Sequence, residues 1–227
     1  MAHYVMSDIH GEADRFHAML EKIQFSQDDT LYILGDVVDR GPDGIALLQE
    51  IMDMPNVMML LGNHEHMMLQ YLSPDADGIA IRRWNKNGNA PTLDKYLRLK
   101  AKEQQKILGY LRMLPTHLEV EVNGSKLYLV HAFPGDNVHD EVWNRPKIDD
   151  PNPIPEYTVI IGHTPIPYLI EDKIKRIQYI MDLENRGEHL RICHASGFID
   201  IDCGCGSDMP IKALACICLE SKDEFYV

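Results

Sequence analysis

The chain has 227 residues, of which 22 are Lys or Arg and 35 are Asp or Glu, so its formal net charge at pH 7 is −13. This length can bury a sizeable core, and 45% apolar with 25% charged residues is ordinary for a globular protein, which excludes a wholly disordered chain. The acidic excess argues against binding to duplex nucleic acid or to an anionic membrane, since both require a basic surface. A small phosphorylated substrate needs only a few local cations and stays open.

The chain shows none of the usual signs of export. Its first residues lack the basic and apolar regions of a signal peptide, and no apolar run approaches the roughly 18 residues of a membrane span. Four of the five cysteines crowd into residues 203–218, unlike the even set of a secreted disulfide scaffold. Their Cys-x-Cys spacing is too tight for a typical structural zinc site. We therefore expect a reduced, cytoplasmic protein without membrane association.

The first 72 residues repeat one pattern three times: a short apolar run, a polar turn and a helical pattern. The apolar runs are His3–Ser7, Thr30–Leu34 and Val57–Leu61. Short, continuously apolar strands that alternate with helices are typical of a parallel sheet covered on both faces. The pattern therefore predicts successive β-α-β units.

The second half of the chain has a different character. Residues 73–91 are polar and turn-rich, and a helical pattern follows over 92–114. Beyond it, Asn123-Gly124 is a strong hairpin signal between two apolar runs. The strand candidates after the helical region are residues 117–122, 126–130, 157–161, 197–203 and 212–220. We expect this half to be mostly antiparallel.

Polar side chains that can ligate a metal follow the predicted strands, at the points where the strands end. They are Asp8 and His10, Asp36 and Asp39, Asn63 and His64, and later His131 and His163. In open α/β sheets, ligands bind outside the carboxyl ends of the strands. The spacing of 28 residues from Asp8 to Asp36 and 27 from Asp36 to Asn63 is close to the roughly 30 residues of a βαβ unit. We therefore expect these side chains to converge.

A set of carboxylates, imidazoles and an amide oxygen of this size exceeds what one divalent ion needs and suits a pair of first-row metals. Mn is the expected metal, with Fe or Zn as alternatives. Asp36 lies on the middle of the three segments and is the natural bridging ligand. A hydroxide that bridges the two ions would attack phosphorus in line, while the ions neutralise charge on the phosphoryl oxygens.

The three early turns resemble, in order, the signature blocks of the phosphoprotein phosphatase family, which belongs to the calcineurin-like metallophosphoesterases. These blocks are Asp8-Ile9-His10-Gly11, Gly35-Asp36-Val37-Val38-Asp39-Arg40-Gly41 and Gly62-Asn63-His64-Glu65. Later blocks are similar at His131-Ala132, Trp143-Asn144-Arg145, Gly162-His163-Thr164 and Ile199-Asp200-Ile201-Asp202-Cys203-Gly204. The compact length and Trp84-Asn85-Lys86-Asn87-Gly88 are similar to bacterial and phage lambda-type serine/threonine phosphatases. Each block alone is weak, but the ordered set is specific.

This resemblance implies an α/β fold of the metallophosphoesterase type, a four-layer α/β/β/α sandwich of two mixed sheets with helices outside. It also implies a single domain over residues 1–227, with a helical insertion at about 74–114. The segment 168–196 is longer than in the compact phage-type members, and we expect an added flap or hairpin there, close to the site.

The resemblance also implies the roles of the site residues. The first metal would be held by Asp8, His10 and Asp36, and the second by Asp36, Asn63, His131 and His163. His64 would protonate the leaving oxygen, and Asp39 would orient it, fix its tautomer and raise its pKa. Arg40 and Arg145 would clamp the phosphate in bidentate fashion.

The expected activity is hydrolysis of phosphomonoesters on phosphoserine or phosphothreonine proteins. The alternative is a symmetrical bis(5'-nucleosyl)-tetraphosphatase, which shares the early blocks and would take a dinucleoside polyphosphate. Nucleases and phosphodiesterases of the wider superfamily carry Gly-His-x-His, whereas here Pro165 occupies the second His position. An inactive binding scaffold would have lost a ligand or His64.

The sequence departs from the family pattern at one position that bears on substrate preference. Leu61 stands where the family commonly has Arg before Gly-Asn-His.

Overall fold

The computed structural model describes residues 1–227 and contains ten strands and eight α-helices. The strands are β1 His3–Met6, β2 Thr30–Ile33, β3 Val57–Met59, β4 His117–Val122, β5 Ser125–Val130, β6 Thr158–Ile161, β7 Cys193–His194, β8 Ile199–Asp200, β9 Ala215–Cys218 and β10 Glu224–Tyr226. The helices are α1 Ala13–Lys22, α2 Gly44–Met52, α3 Asn63–Tyr71, α4 Gly78–Lys86, α5 Ala90–Arg98, α6 Ala101–Leu111, α7 Val138–Trp143 and α8 Lys173–Arg186. None of them combines the length and apolar character needed to cross a membrane.

The strands form two five-stranded mixed sheets, in the orders β10-β9-β1-β2-β3 and β4-β5-β6-β8-β7. In the first sheet β1, β2 and β3 are parallel, with α1 and α2 as the crossovers. This confirms the β-α-β units predicted from the sequence. Because neighbouring parallel strands end at the same edge, the loops after β1, β2 and β3 meet at one rim.

Alternate side chains of the first sheet serve two different cores. Tyr4 and Met6 of β1 belong to a cluster of 26 buried residues that also contains Phe16 and Met19 of α1. Val5, between them, belongs to a second cluster of 25 residues that joins the two sheets. Because both faces of this strand are buried, its sequence is a continuous apolar run. The arrangement is the predicted metallophosphoesterase sandwich.

The second sheet differs from the expected antiparallel arrangement. β4 pairs with β5 through the Asn123-Gly124 turn, as predicted, but β5–β6 and β6–β8 are parallel. Local turn chemistry determines the direction of a hairpin only, whereas these parallel pairs depend on long crossovers that contain α7 and α8.

Two local predictions need correction. The expected helical insertion at 74–114 holds three helices: residues 73–91, predicted as turn-rich, contain α4, and the predicted helix over 92–114 breaks at Leu99 and Lys100, which are extended. The break is stabilised locally, since the Lys100 N–H donates to the Glu103 carboxylate. The segment 168–196 is not a hairpin: it contains the 14-residue helix α8, with Asp172 as its N-cap and Gly187 in the left-handed conformation at its C-cap.

The position of β2 inside the first sheet, between β1 and β3, generates a stability prediction. Ile33 is fully buried against the helices, so Ile33→Ala should lower the free energy of unfolding by about 2–5 kcal/mol through lost burial and a cavity. The same substitution at Ile79, which is 57% exposed on α4, should change it by less than about 0.5 kcal/mol. Urea denaturation of both variants measures the difference. Equal losses would mean that this face of β2 is not in the core.

Candidate metal centre

The loops after five strands bring the six predicted metal ligands together. Asp8 and His10 follow β1, Asp36 follows β2, Asn63 opens α3 after β3, His131 follows β5 and His163 follows β6. All six residues are buried, with at most 4% of their surface exposed. The second sheet thus completes a rim that the first sheet begins.

Left-handed backbone conformations are concentrated at this rim. Nine residues other than glycine have a positive φ, and six of them are predicted site residues. These six are Asp8, His10, Asp36, Asp39, Arg40 and His163. Backbone conformations of this kind cost free energy and persist only where the surroundings impose them. Here the sharp turns direct the side chains inward.

Asp36 lies at the middle of the site. Its carboxylate forms one group of possible metal ligands with His10 and His64, and another with His131 and His163, with the ligand atoms of each group within 4.8 Å of one another. One carboxylate therefore reaches both groups of ligand atoms. The first group contains His64, which we predicted as a proton donor rather than a ligand.

Asp8 lies close to the first group but outside it. Its Oδ1 is 3.9 Å from His10 Nε2. Its Oδ2 accepts a hydrogen bond from the Ser7 hydroxyl at 2.5 Å and one from the His163 N–H at 2.9 Å. Oδ1 has no such bond and is therefore the oxygen available to a metal.

The amide oxygen of Asn63 lies between two imidazoles, 2.9 Å from His131 Nε2 and 2.9 Å from His163 Nδ1. His131 Nδ1 donates to the Leu34 carbonyl at 2.6 Å, which leaves Nε2 without a proton in the neutral ring. A carbonyl partner of this kind orients a metal-ligating histidine. His163 Nε2 is buried and has no hydrogen-bond partner.

The titration behaviour of these groups fits a bound cation. Burial lowers the pKa of His10 and of His163 well below the usual histidine value, so both imidazoles are neutral, the form that binds metals. Burial, with the charge of Asp8, raises the pKa of Asp36 well above the usual carboxyl value. Buried carboxylates become stable when a cation neutralises them. The donor set therefore suits divalent ions.

His64 and Asp39 form a buried pair beside this centre. His64 Nδ1 is 2.7 Å from Asp39 Oδ2, which also accepts a hydrogen bond from the Trp84 indole at 2.6 Å. His64 Nε2 is 3.2 Å from an Arg40 guanidinium nitrogen. Burial raises the pKa of Asp39 to about 7.

The expected rise in the pKa of His64 is wrong for this structure. Burial, followed by the charges of Arg40 and His131, lowers the pKa of His64 well below its usual value. The sequence shows that Asp39 can reach His64, but it does not reveal that the pair is sealed from water. The carboxylate does hold the tautomer, since the Nδ1–H points to Asp39.

A cavity of about 560 Å³ opens beside His163 and contains three arginines. Two of them, Arg40 and Arg145, were predicted, and the third, Arg176, comes from α8. None of the three has a carboxylate within ion-pair distance. Leu61, where a positive group was expected, is buried and does not line this cavity.

The sequence interpretation missed the role of Glu65. This residue is completely buried, and its carboxylate accepts hydrogen bonds from the N–H groups of Asp36, Val37, Val38 and Gly62 at 2.9–3.2 Å. Glu65 accepts the N–H of the N-cap residue Gly62, which is half of a capping box. Glycine has no side chain to supply the other half, so the sequence signal was incomplete. Burial raises its pKa to about 7.

Comparison with known proteins gives a family. A sequence model described as calcineurin-like phosphoesterase matches residues 1–193. The symmetrical bis(5'-nucleosyl)-tetraphosphatase of Acidovorax sp. (strain JS42) is 35% identical over 134 residues, which are 58% of this chain and 44% of that protein. The chain thus spans about half the length of the curated relatives that it matches.

Two solved structures share the fold. One, provisionally assigned as a diadenosine tetraphosphatase, aligns with a TM-score of 0.63 at 17% identity over 100% of this chain and 92% of that chain. The other, a protein serine/threonine phosphatase from Saccharomyces cerevisiae, aligns with a TM-score of 0.50 at 16% identity, over 72% of this chain and 61% of that chain. At these identities the likeness concerns the fold alone.

The four hydrogen bonds of Glu65 generate a prediction. In Glu65→Gln an amide NH2 replaces one acceptor oxygen and faces backbone donors, so we expect the free energy of unfolding to fall by about 2 kcal/mol or more and Mn binding to weaken. Glu103→Gln is the matched control, because Glu103 caps the exposed start of α6 through one hydrogen bond and should cost less than about 1 kcal/mol. Urea denaturation and Mn content after dialysis measure both effects. Equal effects at the two sites would contradict the role of Glu65.

The indole bond to Asp39 generates a pH prediction. The N–H of Trp84 favours the charged carboxylate, so Trp84→Phe should raise the pKa of Asp39 above its value of about 7. If the charged carboxylate is the active form, activity increases as the pH rises through the pKa of Asp39. In Trp84→Phe the acid limb of the plot of kcat against pH should therefore move to higher pH. Trp143→Phe should leave the limb in place, because it removes an indole nitrogen that has no hydrogen-bond partner and keeps an aromatic ring against His163. An unmoved limb in Trp84→Phe would exclude Asp39 as its origin.

Proposed function

Since the chain belongs to the calcineurin-like phosphoesterase family and is a metallophosphoesterase, we propose that it hydrolyses a P–O bond of a phosphorylated substrate with two divalent ions at the rim described above. The observation that carries this proposal is the position of Asp36, whose carboxylate belongs to both groups of ligand atoms. Asp8 and His10 would complete the first site. The second would use Asn63 and the two histidines after β5 and β6. Mn is the expected metal.

Two divalent ions at these positions would make a water molecule more acidic and neutralise charge on the phosphoryl oxygens. The residues of the chain orient the metal ligands and bury them away from water. Carbonyls hold two of the ligating imidazoles in one tautomer, since His10 Nδ1 donates to Val38 and His131 Nδ1 to Leu34. Burial keeps these rings neutral, so they offer their Nε2 lone pairs.

His64 is the proposed proton donor to the leaving oxygen. This role requires a proton on Nε2, and the negative charge of a bound phosphoryl group would favour that form by raising the pKa of the imidazole. Its Nδ1 is fixed by Asp39, and its Nε2 faces the Arg40 guanidinium, so a phosphoryl group bound by Arg40 would lie beside Nε2. The backbone N–H of Arg40 donates to the Gly88 carbonyl at 3.0 Å, which ties this loop to the turn after α4. Arg145, which lines the same cavity, would bind a second phosphoryl oxygen.

We propose a dinucleoside polyphosphate as the substrate, hydrolysed into two equal halves. The support is the 35% identity to a symmetrical bis(5'-nucleosyl)-tetraphosphatase over 134 residues. The cavity also has room for more than one phosphoryl group, with a volume of about 560 Å³. Hydrolysis of phosphoserine or phosphothreonine proteins is the competing outcome, and it rests on motif resemblance.

The deciding experiment compares kcat/KM for diadenosine tetraphosphate and for a phosphothreonine peptide after loading with Mn. We expect preference for the dinucleotide with ADP as the sole nucleotide product, and loss of activity with a chelator. His64→Asn should reduce kcat by about 10²–10⁴-fold, whereas His17→Asn, a matched change at an exposed histidine of α1, should not.

Each other outcome is informative. Preference for the peptide, lost in His64→Asn, would establish the protein phosphatase activity instead. Activity that survives removal of all divalent metal, or that is unaffected by His64→Asn, would contradict the proposed mechanism as a whole.

A further inference from the structure

We propose that Arg176 of α8 binds a phosphate of the substrate beyond the one that is hydrolysed, and thereby selects polyphosphates over phosphomonoesters. This inference rests on the proposed function, because it assumes that a phosphoryl group binds at the metal centre. Arg176 lines the same cavity as Arg40, Arg145 and His163. It reaches this cavity from α8, which lies outside the motif blocks.

The guanidinium of Arg176 is held in one orientation. Its Nε and one Nη atom donate to the Ile170 carbonyl at 3.0 and 2.8 Å. Its central carbon lies 4.7 Å from the centre of the Tyr168 ring. The remaining Nη atom makes no hydrogen bond within the chain. A planar guanidinium fixed along one edge keeps donors on another edge for a phosphate, at little further cost in entropy.

The charge of Arg176 is not neutralised by its neighbours. The Glu171 carboxylate pairs with Lys147 at 3.0 Å. The Asp172 carboxylate accepts the N–H groups of Ile174 and Lys175 at the start of α8. Both adjacent acids are therefore engaged elsewhere, although the chain as a whole carries a net charge of −13.

The arrangement provides more positive charge than one phosphoryl group requires. A guanidinium pair at Arg40 and Arg145 is sufficient for bidentate contacts to the phosphoryl group that reacts. A third unpaired guanidinium in a cavity of about 560 Å³ fits the next phosphate of a chain. Arg176 would then act on binding of the polyphosphate and leave the reaction of a simple phosphomonoester unchanged.

The test uses the Mn-loaded protein with p-nitrophenyl phosphate as substrate, and with inorganic phosphate and inorganic tripolyphosphate as competitive inhibitors. In Arg176→Ala the inhibition constant of tripolyphosphate should rise about tenfold or more. The inhibition constant of phosphate and kcat/KM for the aryl phosphate should stay within about twofold. Arg186→Ala is the matched control, because Arg186 lies on the same helix and pairs with Glu188; it should change none of these values.

A purely structural role for Arg176 would weaken phosphate, tripolyphosphate and turnover together, or none of them, and either result would overturn the inference. Arg176→Lys guards against misfolding: it keeps the charge but loses the planar guanidinium, so its inhibition constant for tripolyphosphate should lie between those of the unmodified protein and Arg176→Ala. Calorimetric titration of the same variants with tripolyphosphate gives the comparison without turnover. Failure of the proposed function is a separate result: the unmodified protein would then not cleave diadenosine tetraphosphate, whatever Arg176 does to tripolyphosphate binding.

Discussion

The buried carboxylate of Glu65 is the constraint on which the metal centre depends. It accepts N–H groups from both the loop after β2 and the start of α3, so one side chain joins the segments that carry Asp36 and His64. The Asp36 carboxylate in turn accepts the His64 N–H at 3.0 Å. These bonds fix the two loops relative to each other before any ion binds. In a dry interior, such a network is rigid only while every member is satisfied.

The charge distribution shows how an acidic protein can bind an anion. The long-range field of a chain with a net charge of −13 opposes the approach of polyphosphates, but this field is screened over about 8–10 Å at physiological salt. Three arginines that have no carboxylate within ion-pair distance line the cavity and supply positive charge there. The structure therefore combines a repulsive surface with an attractive site, which favours small phosphorylated molecules over long polyanions.

The sequence was sufficient for the parts of the protein that depend on local pattern. The apolar runs predicted β1, β2 and β3, and the residues after them predicted which side chains meet, because parallel strands end at one edge. The parallel pairing of β6 and β8 was not predictable in this way, since it depends on crossovers rather than on turns. α8 was missed because its apolar residues Ile174 and Ile177 are exposed, and Arg176 was missed because it lies outside every motif.

The left-handed turns at the rim have a consequence for which residues can occupy it. Besides glycine, Asp, Asn and His are the residues that enter this backbone region most readily. They are also the residues that ligate hard and borderline divalent ions. Five of the six strained site positions are Asp or His. The same few residue types therefore suit both the left-handed backbone of these turns and the ligand preference of the ions. Glycine at these positions would relieve the backbone and remove the ligand, so selection for stability alone would drive the protein away from its activity.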